Sequence, residues 1–121
     1  MITMDETFKN HIITEVSENE WIWKDPSDLT YWMGFKIFKD RVIIIGDFWD
    51  WIFCPGSHRE KQFLLGANDK DYFLEKLSNY PAYNKRQEKE KMAKFNQMWK
   101  GLVAFREKYW ELYEDPKKVI I

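Results

Sequence analysis

The chain has 121 residues, 45% hydrophobic and 32% charged, and its 19 Lys and Arg nearly balance 20 Asp and Glu to leave a net charge of −1. These totals describe one folded domain with a single core and exclude a disordered chain; with no apolar run near about 18 residues, they also exclude a membrane-spanning helix. A single cysteine, Cys54, and the lack of a leader-like pattern at the start lead to the expectation of a cytoplasmic protein without disulfides.

In chain order, Thr3-x-x-Glu6 resembles a capping box, and Phe8, Ile12, Ile13 and Val16 recur at helical spacing, which predicts a first helix over 4–16. Trp21-Ile22-Trp23 is a short β-prone run, stopped at Asp25-Pro26 because proline cannot continue a ladder. Thr30 to Phe38 alternates, with Tyr31, Met33, Phe35 and Ile37 on one face and Trp32, Gly34, Lys36 and Phe38 on the other. Lys39-Asp40 closes a hairpin onto the strand Arg41 to Ile45. Its continuous β-branched run, Val42 to Ile45, predicts a central strand covered on both faces. Gly46 permits a bend, and Phe48 to Phe53 forms the next strand, ended by Cys54-Pro55-Gly56. The sheet is thus expected within 21–53.

Arg59 to Ala67 suggests a short helix ended by Gly66, and Asn68 or Asp69 caps another through about Asn79, placing these helices within 59–79. From Asn84 to Glu114, Met92, Phe95, Trp99, Leu102, Val103, Arg106, Tyr109, Trp110 and Tyr113 recur at spacings of three and four. A straight helix over 84–114 would be about 46 Å long, with Gly101 its weakest point. The fold class that follows is α+β: a three- to four-stranded antiparallel meander with flanking helices and a long C-terminal helix, one domain over 1–121.

Catalytic chemistry is scarce. Asp47 and Asp50 are the most suggestive carboxylates, as a divalent-metal pair or an acid/base pair. Without a nearby His or third acid, they read better as turn residues accepting backbone N–H bonds. Cys54 and His58, with Glu60, fall in a loop that shows no nucleophile–base geometry, and His11 reads as a surface or boundary residue. Phosphate loops, nucleophile elbows and zinc motifs are missing. The expectation is a non-enzyme with no cofactor and no metal.

Binding is better represented. Seven Trp, nine Phe and six Tyr exceed what a chain of this size can bury completely, and Trp32, Trp49 and Trp51 fall on adjacent strands. Such residues carry binding energy at interfaces, so these three, with Asp47 and Asp50, are the candidate partner surface. Charge is also uneven: residues 1–83 hold 9 Lys/Arg against 14 Asp/Glu, and residues 84–121 hold 10 against 6. Lys85, Arg86, Lys89, Lys91 and Lys94 form a basic opening to the last helix. It reads either as a solvated helix end or as a contact for RNA or an acidic partner.

Thr30-Tyr31-Trp32, the run Val42 to Phe53 with its Gly46-Asp47 step, and Asp69-x-x-Tyr72-Phe73-x-x-Lys76 together resemble a group of small proteins encoded by phages and prophages. The resemblance covers about 27–77 and departs at Phe48-Trp49, where the pattern has a glycine. It carries over no catalytic residues. It implies a counter-defence factor, of which anti-CRISPR proteins are the leading instance. The implied partner is a host defence protein such as an RNA-guided nuclease, with or without its guide RNA, whose nucleic-acid engagement would be blocked. The alternative is a nucleic-acid-binding accessory protein using the basic helix.

Overall fold

In the computed structural model, which describes residues 6–56, 58–78 and 85–112, Ile12–Ser17 is a strand (β1) and not the second half of a helix. Helical content before it is a single 3-10 turn, Glu6–Phe8; the start of the expected 4–16 helix lies outside the described residues. The spacing of Phe8, Ile12 and Val16 suits a helix, but Ile12-Ile13-Thr14 and Val16 are β-branched and stiff at χ1. Pairing decides the matter: Ile13 lies opposite Trp23 and Glu15 opposite Trp21.

β2 (Glu20–Asp25), β3 (Asp28–Phe38), β4 (Arg41–Gly46) and β5 (Trp51–Phe53) complete a five-stranded sheet in the order β1-β2-β3-β4-β5. Every neighbouring pair is antiparallel, so the meander holds one strand more than the upper expectation. The β3–β4 hairpin turns at Lys39-Asp40, where Asp40 takes a left-handed φ of 65°. Three helices follow: α1 (Glu60–Gly66), α2 (Lys70–Glu75) and α3 (Lys85–Leu112). Asp69 caps α2 by accepting from the Asp71 and Tyr72 N–H groups, and the helix ends at Glu75, short of Asn79.

Among the described residues, helices cover one face of the sheet. On that face Trp21, Trp23, Met33, Phe35, Val42, Ile44, Trp51 and Phe53 are buried. α3 crosses them with Phe95, Met98, Leu102, Phe105 and Tyr109: Phe105 stacks on Phe35 at 4.2 Å, and Tyr109 meets Trp21 edge-on at 5.7 Å. The 28-residue helix, about 42 Å long, runs without interruption through Gly101. There the missing side chain matters for packing, because a β-carbon at Gly101 would collide with Met33 Sδ and press on Phe8.

Two strand expectations are corrected by this layering. β4 is the fourth strand and is covered on one face: Val42 and Ile44 are buried, whereas Ile45 on the opposite face is 38% exposed. Phe48 to Asp50 is not strand, because Gly46 at φ 131° turns the chain out of the ladder and β5 begins only at Trp51. A β-carbon at Gly46 would collide with the Trp32 carbonyl oxygen, so only glycine fits that bend.

Candidate partner-binding surface

One end of the sheet departs from regular pairing. Between Trp23 and Asp25 β2 advances two residues, while β3 covers the five from Asp28 to Met33, so residues 29–32 bulge outward. Asp47 clamps this bulge to the end of β4. Its N–H donates to Trp32 O (3.1 Å), and its carboxylate Oδ2 accepts from the Tyr31 N–H. Asp47 is therefore a staple between two loops, the turn role that its position suggested.

The clamp displays two aromatic rings, each resting on a buried one. Tyr31 is 45% exposed and stacks on Phe48 at 5.8 Å with only 16° between the rings. Trp49 is 38% exposed and stacks on Trp51 at 6.2 Å. Trp51 is buried, donates its Nε1–H to Phe48 O and meets Phe95 of α3 edge-on. It is thus the pedestal and not part of the display; Trp32 is half-buried.

Both displayed residues have left-handed backbones, Tyr31 at φ 62° and Trp49 at φ 71°. That conformation costs a non-glycine residue about 1–2 kcal/mol, and strain of this kind clusters at functional sites. The alternation of Thr30 to Phe38 places Tyr31 on one strand face with Met33, Phe35 and Ile37; nothing in its local sequence announces the left-handed bulge.

Four acids lie at the same end of the sheet as these rings. Asp47 and Asp50 are exposed, and the β2–β3 turn at the same end carries Asp25 and Asp28. The Ser27 N–H and hydroxyl both donate to Asp25, holding its carboxyl below the usual 3.8. A cavity of about 140 Å³ opens beside the surface, lined by Thr7, Phe8, Tyr31, Phe48, Gln97 and Lys100. Among the described residues no group of three His, Cys, Asp or Glu side chains could hold a metal ion.

The other singled-out groups are placed elsewhere. His11 is buried, contrary to expectation; it shares a 2.9 Å hydrogen bond with Tyr31 O through Nε2 and packs between Phe8 and Trp23. Glu60 accepts from the Asp40 N–H (2.6 Å), which holds its carboxyl below the usual 4.5 and ties α1 to the β3–β4 hairpin. Cys54 is half-buried, and its N–H donates to Lys76 O. In the basic opening of α3, Lys89 is exposed and Lys94 half-buried, but Lys91 is buried in the stripe that continues through Phe95. The side chains of Lys85 and Arg86 lie outside the described residues.

Arg106 is the polar group whose role the sequence did not show. Its guanidinium donates to Leu64 O (2.7 Å), Ala67 O (2.6 Å) and Phe63 O (3.0 Å), and Trp110 Nε1–H donates to Leu65 O (3.1 Å). Together they bond to four carbonyls at the C-terminal end of α1, where the helix's own N–H groups run out. Burial pushes Arg106 down to about 10, still far above neutrality, so a full positive charge meets the negative end of that helix.

No protein-family model matches the chain, and no curated protein or solved structure is significantly similar to it. The class that fold and surface define is an α+β protein with a one-sided meander and an acidic, aromatic loop end. No helix among the described residues is long and apolar enough to cross a membrane.

Proposed function

We propose that this protein acts by binding, with the aromatic end of the sheet as its contact surface and a bacterial defence protein as its partner. The reading rests on Tyr31 and Trp49: two exposed rings, held on buried aromatic pedestals in backbone conformations that disfavour them. Stability alone would not select such residues there, whereas interfaces favour Tyr and Trp as anchors. The acids at the same end suit a basic groove. A channel that holds guide or target nucleic acid is such a groove, which is why the resemblance to phage-encoded proteins makes an RNA-guided nuclease the first partner to test.

The test is phage plating on cells carrying an active RNA-guided nuclease. Expression of the protein restores plating, and Trp49→Asn or Tyr31→Asn abolishes the effect while the purified variants stay folded. No restored plating across a panel of such nucleases would overturn the reading. The nucleic-acid alternative has less support, because the buried Lys91 interrupts the basic face; affinity falling steeply with salt would be its mark.

A further inference from the structure

The two edges of the sheet differ. Along β5 the edge is closed: Ser78 N–H donates to Ile52 O (2.7 Å), Cys54 N–H donates to Lys76 O (2.8 Å), and Leu77 bridges to Phe53. Along β1 no described residue pairs with the outer side of the strand. Its exposed large apolar side chains are Ile12, 49% exposed, and Val16, 54% exposed. A row of unpaired N–H and C=O groups is matched best by another extended backbone.

We propose that β1 is a dimerisation edge, pairing antiparallel with β1 of a second copy into a ten-stranded sheet. The strand is complementary to itself. A two-fold axis through Thr14 sets Ile12 of each copy opposite Val16 of the other, Ile13 opposite Glu15, and Thr14 opposite Thr14. The exposed apolar side chains then meet each other, the central Thr–Thr pair is a favourable cross-strand pair, and the strand's one charge never faces itself. Closure at two copies follows from the other edge. Because residues 76–78 occupy the outer side of β5, the described residues of each chain offer one open edge, and the isologous contact leaves none of these for a filament. The bulge between Glu15 and Ser17 ends the regular run of β1 beside Val16.

Light scattering tests the mass in solution: twice the 14.9 kDa of the chain is expected. In a Cys54→Ser background, Thr14→Cys joins two chains under mild oxidation. Directly opposed residues have α-carbons about 4.5–5.5 Å apart, within disulfide reach. Ile12→Cys in the same background stays unlinked, because its two copies sit four residues apart along the strands. Thr14→Lys sets two ammonium groups against each other and halves the mass, with an unchanged circular dichroism spectrum showing the fold intact. A wild-type monomer at high chain concentration with no Thr14→Cys crosslink would overturn the proposal. So would a dimer that survives Thr14→Lys and crosslinks as readily through Ile12→Cys.

Discussion

Replacing Arg106 by methionine measures how far the end of α1 depends on α3. Methionine keeps an unbranched stem in the contact with Phe73 and Trp99, whose rings lie 5.6 and 5.4 Å from the guanidinium carbon, and removes all three donors. Phe63 O keeps a partner, because the Ala67 N–H also donates to it (3.3 Å). The carbonyls of Leu64 and Ala67 lose the guanidinium bonds, each at about 1–3 kcal/mol, and relief from burying a charge offsets part of that loss. A net destabilisation of about 3 kcal/mol is expected, a large share of the ~5–15 kcal/mol that holds a domain together. With a urea m-value of about 1.5 kcal/mol/M, the midpoint falls by about 2 M without a change in slope. An Arg106→Met protein within about 1 kcal/mol of wild type would refute the idea that these bonds hold α1 in place.

Other substitutions give distinct signatures. Gly101→Ala destabilises by about 1–3 kcal/mol in thermal melts although alanine is the better helix former, because Met33 blocks the new methyl; Met33→Val in the same chain restores most of the loss. Trp49→Asn stays within about 1 kcal/mol of wild type in urea, as relief of the left-handed backbone offsets the lost stack on Trp51. For Glu60, whose carboxyl titrates below its ordinary 4.5 when folded, the stabilising contribution is present above that value and lost as pH falls through the folded pKa. Glu60→Gln can still accept from the Asp40 N–H, so it flattens the acid limb of the stability–pH curve while changing little at neutral pH.

Local chemistry made part of this fold readable. Lys39-Asp40 turns where two apolar runs meet, and Asp69 caps α2 with its own side chain, so both features are written within a few residues of where they act. β1 was not readable in this way: Phe8, Ile12 and Val16 satisfy a helical period, and only the partners Trp21 and Trp23 make the segment a strand. The site divides along the same line. Trp49 stood out by composition, as one of seven tryptophans. Tyr31 did not, because its left-handed turn is imposed by Asp47, sixteen residues away. Arg106 was visible as a cation in the apolar stripe of α3, but its acceptors lie 39 to 43 residues upstream, beyond the reach of any periodicity.

That last separation has a consequence for synthesis on the ribosome. Each strand of the meander pairs with the strand made just before it, so the sheet can assemble as the chain emerges. The end of α1 cannot be completed in this way, because the groups that close it arrive with Arg106 and Trp110. At about 10 residues per second, Arg106 is joined to the chain about 4 s after Ala67. During that interval Phe63, Leu64 and the inner face of the sheet await the helix that will cover them, and a nascent chain in this state is a natural client for a chaperone.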